Sequence, residues 1–399
     1  MPTSQRPGRQ VLLIALFLAG VGVVMVYSSS SVLARERFAD SSFFLDRQLM
    51  RALFGVAMML LLSRIPLPWL QRASLPMFVA SILFLVLVLA MGEGRSAHRW
   101  LPFPMPSVLS NLWFQPSEFA KLAIVFYLAD VIVRQRDRMM EWWGGFFPRL
   151  LVIAGVQLLI VLQPDLSTAV AIGVISLTML WLGGFRLLHL SATVLTAIPV
   201  AMISIISTPY QLERIMSFLR GADPQGAGFQ VAQSLLALGS GGPFGVGLGN
   251  SVQKYFIPEP HTDFVFALVG EELGLAGSLS IVGLFAAFGI HGYRIARQAD
   301  TPFGYLVASG VTVMVSTYAF LNIGVVTGLV PTTGLPLPFL SYGGSALLWN
   351  LCGVGVLAAV SRANETGRHS PLELRQSRSR SAGEGAGPRV STGAPYANA

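Results

Sequence analysis

A charged segment, PEPHTD at residues 258–263, runs directly into an apolar segment that begins at Phe264. Placing carboxylate and imidazole groups at the start of an apolar helix costs free energy, because each group must be desolvated or hydrogen-bonded there. Such a placement therefore indicates a functional role. Asp263 is therefore a candidate general base at the rim of an active site. It could equally cap the N-terminus of the following helix, and spacing alone leaves both interpretations open.

Lysine is rare in this chain, which has only two lysines, Lys121 and Lys254, and 25 arginines. Lys is a compact point charge suited to phosphate, and both lysines fall in segments that we expect to face outward. Glu118 and Lys121 lie three residues apart on one helical face. They form either a structural ion pair or a site in which Lys121 faces a phosphate.

Other polar residues favour structural roles. Asp165 ends one apolar segment, and Ser167 or Thr168 is predicted to cap the helix that follows. Glu271 and Glu272 lie about two turns after Asp263, where a carboxylate pair could act as base and metal ligand. We expect one of the two to be a solvated edge instead. Cys352 is the single cysteine, which excludes an intramolecular disulfide and a cysteine-based metal site.

The composition predicts an all-α polytopic membrane protein, since 53% of the 399 residues are hydrophobic and only 12% are charged. Apolar length indicates about ten transmembrane helices, with a large extracytoplasmic loop between helices 7 and 8. The predicted spans are 11–33, 49–65, 74–91, 116–133, 150–162, 168–182, 187–208, 264–290, 303–326 and 344–360.

The basic residues predict the orientation. With the N-terminus in the cytoplasm, 17 of the 27 Lys and Arg residues lie inside, so both termini are expected to be cytoplasmic. Residues 1–10 form a cytoplasmic N-terminus, 11–360 the transmembrane domain and 361–399 a disordered cytoplasmic tail rich in Ser, Gly, Pro and Arg. The positive charge reflects this topology, so no nucleic-acid partner is predicted. Three outward segments, 92–115, 209–262 and 327–342, are expected to line one cavity.

Several motifs resemble the SEDS family of cell-wall polymerases, and the resemblance covers nearly the whole chain up to about residue 360. They are FQPSEFAKLA at 114–123, QPD at 163–165, the 245–274 segment GVGLGNSVQKYFIPEPHTDFVFALVGEELG and the 322–345 segment NIGVVTGLVPTTGLPLPFLSYGGS, with MVYS at 25–28. The forms PEPHTDF, GEELG and PTTGLPLPFLSYGG are most similar to the cell-division (FtsW) branch rather than the elongation (RodA) branch.

The resemblance implies a peptidoglycan glycosyltransferase that polymerises lipid II at the outer face of the cytoplasmic (inner) membrane during septal synthesis. It implies a class B penicillin-binding protein and other division membrane proteins as partners. The essential Asp of the family falls on Asp263, its loop Trp on Trp100 and its fourth-span Lys on Lys121. Two positions depart from the pattern: the basic pair before the Trp reads His98-Arg99, and Thr333 stands where the family has a Lys.

The implied reaction inverts an α-linked sugar diphosphate into a β-linked product in one displacement, with Asp263 as the base. A divalent cation, Mg²⁺ or Mn²⁺, between phosphate and carboxylate is left open, and no cofactor is assigned with certainty. Trp100 could instead belong to an aromatic belt at the membrane interface. The candidate substrate-binding residues are Arg99, Trp100, Glu118, Lys121, Lys254, His261 and Ser341, and Arg220 is a further cation that could face the diphosphate.

Three alternatives to this function remain open at the level of sequence. A lipid II transporter would also place charged groups in a cavity of a polytopic protein. A scaffold that recruits division proteins through its Arg-rich tail and outer loops would need no polar groups within the membrane. An elongation-type polymerase would differ in its place in the cell rather than in its chemistry.

Overall fold

The computed structural model describes residues 7–91, 99–101, 114–138, 141–221 and 228–368. These residues are helical and contain no β-strand, although Leu101 and Phe114 form an isolated antiparallel bridge. Helices α1 to α12 follow in chain order: Pro7–Phe38, Phe43–Leu62, Leu67–Met91, Pro116–Arg134, Phe147–Val161, Leu166–Leu182, Leu187–Ser207, Pro209–Arg220, Phe229–Ser240, Val265–Arg297, Pro302–Val326 and Gly344–Arg368. His98 and the tail beyond residue 368 lie outside the described residues.

Each of the ten predicted spans falls on a helix, and the all-helical membrane fold is confirmed. Among the described residues, seven helical segments are long and apolar enough to cross a membrane: Pro7–Phe38, Leu67–Met91, Trp142–Val161, Leu187–Ser207, Val265–Arg297, Pro302–Val326 and Gly344–Glu365. Helix α6 is apolar but has only 17 residues. Helices α2 and α4 carry charged residues, so the number of ten spans stays a prediction.

Helices α4, α11 and α12 form the centre of the molecule. Most side chains of α4 are buried, including Glu118, Lys121 and Asp130. Its start at Pro116 agrees with the preference for proline in the first turn. At the periphery, α7 contributes a single buried residue, Leu190, and exposes apolar side chains along the rest of its length. The polar groups of α4 are therefore enclosed by protein, whereas α7 presents its surface to the surroundings.

The loop between α7 and α10 contains two helices and a glycine-rich segment. Helix α8 has no buried residue and separates charged from apolar side chains, as an amphipathic surface helix does. Helix α9 packs against α10 and α11. Residues 241–264 then lead back to the start of α10, and a 3₁₀ turn, Gln253–Tyr255, lies within them. The last part of this loop is the PEPHTD segment, which lies at the N-terminal end of α10.

Candidate functional site

Asp263 lies immediately before α10 and is half-buried. Its Oδ1 accepts a hydrogen bond of 2.5 Å from the Thr262 hydroxyl, and among the described residues no backbone N–H of α10 donates to its carboxylate. Its carbonyl accepts a hydrogen bond of 2.7 Å from Asn322 Nδ2, which also donates to the carbonyl of Leu335 at 2.8 Å. Asn322 thus joins the PEPHTD segment to the 327–343 loop, and the capping role weighed for Asp263 is not observed.

The second carboxylate oxygen of Asp263 faces Gly334. Oδ2 lies 3.5 Å from the point that a Cβ on Gly334 would occupy, and Arg214 Nη1 lies 3.9 Å from the same point. Gly334 has a φ of +72°, a backbone conformation that favours glycine. Arg214, on α8, also donates to the carbonyl of Thr332 at 3.4 Å. Arg214 therefore lies near Asp263 without forming an ion pair with it, and the sequence analysis did not identify this cation.

A cavity of about 470 Å³ opens beside the same segment. It is lined by Trp100, Thr262 and residues of α1, α2 and the junction between the 327–343 loop and α12: Phe38, Phe43, Arg47, Arg51, Tyr342, Gly343 and Gly344. Thr262, which donates to Asp263, is the link between this cavity and the carboxylate. Of the predicted site residues, the cavity contains Trp100. Its two arginines were not among the predicted residues.

His261 is buried behind this cavity. Its ring contacts Phe44, with centroids 4.7 Å apart, and Tyr342, at 5.3 Å. Its carbonyl accepts a hydrogen bond from Tyr342 N, and its Nδ1 is buried with no partner among the described residues. Burial, with a smaller contribution from the charge of Arg37, lowers the pKa of His261 to about 4. The imidazole is therefore neutral at pH 7 and packs as an aromatic ring.

Lys121 and Glu118 are fully buried and form an ion pair, with Lys121 Nζ 2.6 Å from Glu118 Oε2. Lys121 Nζ also lies 3.8 Å from the ring centroid of Tyr318. The structural ion pair considered for these residues is present. A role for Lys121 in binding phosphate stays a prediction, and in this conformation its charge is already neutralised.

Arg99 is held just beyond the C-terminal end of α5. Its Nε donates to the carbonyl of Gln163 at 3.0 Å, and its Nη2 donates to the carbonyl of Pro164. Asp165 accepts a hydrogen bond from Thr168 N at 3.3 Å and caps α6. A cap at this point was predicted, but with Ser167 or Thr168 as the capping residue, and both lie within the helix instead. The Arg99 guanidinium thus lies against the QPD segment, and binding of substrate by Arg99 stays a prediction.

The remaining predicted residues lie in the two loops that flank α10 and α11, or at the end of α8. Lys254 Nζ donates to the carbonyl of Gly249 at 2.6 Å, and Arg220 is exposed at the end of α8. Ser341 is buried, and its hydroxyl accepts a hydrogen bond of 2.8 Å from Leu337 N. Ser341 therefore shapes the loop before α12. For these three residues, binding of substrate remains a prediction.

Glu271 and Glu272 anchor the glycine-rich segment to α10. Glu271 accepts hydrogen bonds from the Ser251 hydroxyl at 2.5 Å and from Val252 N at 2.9 Å. Glu272 accepts two from the Ser28 hydroxyl, at 2.6 and 2.7 Å. Both glutamates are buried, so the expectation that one of them forms a solvated edge was wrong. Through these hydrogen bonds both glutamates have structural roles.

A metal site is not evident among the described residues, where no three His, Cys, Asp or Glu side chains are grouped. Asp263 alone would supply a single carboxylate. Mg²⁺ can bind through one or two carboxylates when substrate phosphates and water supply its other ligands. A divalent cation therefore fits this site only together with a phosphate-bearing substrate, and its presence stays a prediction.

Comparison with known proteins matches residues 9–366 to the family described as cell cycle protein, FTSW_RODA_SPOVE. A relative from Trichlorobacter lovleyi, named "Probable peptidoglycan glycosyltransferase FtsW", is 40% identical over 356 residues, which is 88% of this chain and 92% of the relative. The stage V sporulation protein E of Bacillus subtilis is 41% identical over 362 residues, covering 89% of this chain and 97% of that protein.

Two solved structures share the fold. One comes from work on the structural coordination of polymerization and crosslinking by a peptidoglycan synthase complex; it has a TM-score of 0.72 and 27% identity, covering 88% of this chain and 97% of the other. The crystal structure of the rod shape determining protein RodA of Thermus thermophilus has a TM-score of 0.66 and 26% identity, covering 89% of this chain and 96% of the other. These likenesses extend over the helices that carry the site.

Proposed function

Because the chain belongs to the FTSW_RODA_SPOVE family of cell cycle proteins, we propose that it is a peptidoglycan glycosyltransferase that polymerises lipid II at the outer face of the cytoplasmic membrane. The observation that carries this proposal is the position of Asp263, whose Oδ2 accepts no hydrogen bond among the described residues and lies, like Arg214 Nη1, next to Gly334. A carboxylate next to a cation at the top of a helix bundle suits the transfer of a sugar from a lipid diphosphate.

In the proposed reaction, Asp263 accepts the proton of the acceptor sugar hydroxyl. The hydroxyl oxygen forms a bond to the anomeric carbon of the donor while the bond between that carbon and the diphosphate oxygen breaks, which inverts the configuration. Thr262 donates to Oδ1, so Oδ2 is the oxygen that is open to take the proton. The departing lipid diphosphate keeps the electron pair, and nearby cations stabilise its negative charge.

Among the candidate cations, we favour Arg214, because its Nη1 and Asp263 Oδ2 both lie next to Gly334. Lys121 would have to leave Glu118 before it could bind a phosphate. Arg99, Lys254 and Arg220 belong to segments around the site, and they remain in the proposal as further contacts to the lipid diphosphate.

The proposed setting is a ten-span protein with both termini in the cytoplasm, acting at the division septum with a class B penicillin-binding protein. The relatives named FtsW and the structure from a peptidoglycan synthase complex support this setting. Localisation of a tagged copy separates the two roles in wall synthesis. Signal at mid-cell supports the division role, whereas signal along the side wall supports elongation.

The test of function uses the purified chain in liposomes with labelled lipid II, alone and with its cognate class B penicillin-binding protein. We expect glycan ladders, and Asp263→Asn should lower their rate by roughly 100-fold or more. Asp300→Asn makes the same chemical change at an exposed position between α10 and α11 and should leave the rate unchanged. Ladders that persist in Asp263→Asn would remove the assigned base, and lipid II movement without ladders would indicate a transporter.

A further inference from the structure

We propose that Asn322 is a positioning residue, which holds the backbone of Asp263 so that the carboxylate keeps its place in the site. Asn322 lies near the C-terminal end of α11 and is enclosed by protein, with 1% of its surface exposed. This inference rests on the proposed function for the role of Asp263 as the base. The contact between the two residues is a feature of the structure and can be tested without turnover.

Asn322 uses both hydrogens of its side-chain amide. Its Nδ2 donates to the carbonyl of Asp263 at 2.7 Å and to the carbonyl of Leu335 at 2.8 Å. Neither carbonyl accepts a second hydrogen bond from the part of the chain that the structure describes. Because a carbonyl shielded from water needs a donor, this one amide satisfies two segments that are far apart in the sequence.

Both segments lack regular secondary structure at the point of contact. Asp263 precedes Phe264, the N-cap residue of α10, and residues 331–337 contain no helix or strand. Neither backbone is therefore held at this point by the hydrogen bonds of a helix or sheet. In contrast, α11 is a helix of 25 residues, most of them buried. Asn322 thus fixes two irregular segments to a rigid helix.

The contact with Leu335 sets the separation between Asp263 and the loop that faces it. Leu335 follows Gly334, and Asp263 Oδ2 lies 3.5 Å from the point that a Cβ on Gly334 would occupy. By binding both carbonyls, Asn322 fixes the two segments relative to each other beside the carboxylate. A displacement of about 1 Å in a reacting group can lower a rate by about 100-fold. The rate should therefore be sensitive to this contact.

A second link keeps the two segments joined when Asn322 is changed. Tyr342 N donates to the carbonyl of His261 at 2.8 Å, and backbone groups alone make this bond. The ring of Phe44 also contacts the rings of His261 and Tyr342. Substitution of Asn322 should therefore leave the fold in place and release the segments only near Asp263. This result is expected of a positioning residue and not of a residue that holds the fold.

The experiment compares glycan synthesis by matched variants of the full chain in liposomes with the cognate class B penicillin-binding protein. Asn322→Leu keeps the approximate size of the side chain and removes both donors. It should lower kcat by about tenfold or more and change KM by less than about threefold. Asn364→Leu makes the same chemical change at a buried position on α12, where Nδ2 donates to the carbonyl of Ile295 at 3.5 Å. It should leave kcat unchanged.

A double variant separates positioning from stabilisation. If Asn322 acts through Asp263, Asn322→Leu should lower the rate by less than about twofold once Asp263→Asn is present. Residual rates are measured over long incubations with saturating lipid II. Equal factors in the two backgrounds overturn the proposal, as does an unchanged kcat in a folded Asn322→Leu. A raised KM with unchanged kcat also overturns it, since Asn322 would then act on the binding of substrate.

Thermal melting of each variant checks that it is folded, and Asn322→Gln is the second variant should Asn322→Leu fail to fold. Asn322→Gln keeps both donors but moves the amide by one methylene. We expect its kcat to lie below that of the wild type, with KM unchanged and with the same dependence on Asp263. If neither variant folds, Asn322 holds the fold itself and the proposal is overturned.

Hydrogen exchange separates failure of this inference from failure of the proposed function, because it needs no turnover. Peptides that cover 258–263 and 331–337 should exchange at least about tenfold faster in Asn322→Leu than in the wild type, whereas peptides from α4 should not change. With faster exchange in a chain that forms no glycan, the contact stands and the polymerase does not. If glycan synthesis requires Asp263 but is normal in Asn322→Leu, the polymerase stands and the positioning role does not.

Discussion

For Lys121, a role in binding substrate has to be distinguished by experiment from a role in stabilising the fold. Its amine is fully buried, pairs with Glu118 and lies over the ring of Tyr318. A buried ion pair is destabilised when one partner is removed, because the other charge is left without compensation. A loss of activity in a single variant would therefore not distinguish a role in binding from a role in folding.

The first prediction uses both members of the pair. Lys121→Met should lower the free energy of unfolding by about 3 to 5 kcal/mol, since Glu118 is left charged and buried. The double variant Lys121→Met with Glu118→Leu should regain most of that loss. Thermal melting in detergent measures the stability, and glycan synthesis measures the activity. Activity that returns together with stability assigns Lys121 to the fold. A stable but inactive double variant assigns the Glu118–Lys121 pair, rather than Lys121 alone, to the substrate.

The second prediction concerns His261 and pH. Burial holds its pKa at about 4, below the ordinary value of 6.5, so the folded protein favours the neutral ring. The stability that this group contributes is complete above pH 6.5 and is lost as the pH falls through 6.5 towards 4. Between pH 8 and pH 5 the loss is about 2 kcal/mol.

His261→Phe should reduce this pH dependence, because Phe keeps the ring contacts with Phe44 and Tyr342 and cannot be protonated. Melting curves of the wild type and of His261→Phe at pH 8 and pH 5 provide the comparison. Parallel falls in the two proteins would show that other groups account for the acid sensitivity.

What the sequence could predict at this scale depends on the distance between partners along the chain. The Glu118–Lys121 pair and the cap of α6 each join residues three positions apart. Local spacing was enough to predict the pair and a cap near residue 167, although not that Asp165 supplies the cap. Arg214 approaches Asp263 across a loop, and Arg47 enters the cavity from another helix. No local pattern encodes such contacts. For the same reason the partners of Glu271 and Glu272 were not foreseen.

At the scale of elements, the junction between the glycine-rich segment and α10 positions the site. Val246 N and Gly247 N donate to the carbonyls of Glu271 and Glu272, and Leu275 N donates to that of Gly242. The two backbones approach so closely that a Cβ on Gly245 would lie 2.1 Å from the carbonyl oxygen of Glu272. Glycine is needed at Gly245 for this contact as well as for its φ of +82°.

The third prediction separates these two requirements. Gly249 has the same φ of +82°, but a Cβ there would meet no atom within 4 Å. Gly249→Ala should therefore cost about 1 to 2 kcal/mol of stability through backbone strain alone. Gly245→Ala should cost distinctly more, because the loop must also move away from α10. Thermal melting compares the two variants, and equal losses would show that close packing at this junction is unimportant.

Among the larger elements, apolar length located all ten predicted segments, because burial in hydrocarbon requires long uncharged helices. It does not establish that α2 and α4 cross the membrane, since both helices carry charged residues. The helices α8 and α9 within the outer loop were not foreseen. Their short lengths and mixed polarity fall below the signal of a membrane span, and tertiary packing stabilises α9 in particular.

At the scale of the whole molecule, the proposed mechanism requires Asp263 to be on the outer side of the membrane. Cys352 is buried and is the single cysteine, so introduced cysteines can report sidedness against a low background. In intact cells or spheroplasts, a membrane-impermeant maleimide should label Glu259→Cys and should not label Arg138→Cys, although both positions are exposed. Permeabilisation should make Arg138→Cys reactive, which controls for its accessibility, and the unmodified chain controls for Cys352. The distribution of arginines predicts this result, because basic loops are retained in the cytoplasm. The reverse labelling pattern would place Asp263 in the cytoplasm, away from the outer leaflet, and would exclude polymerisation at the outer face.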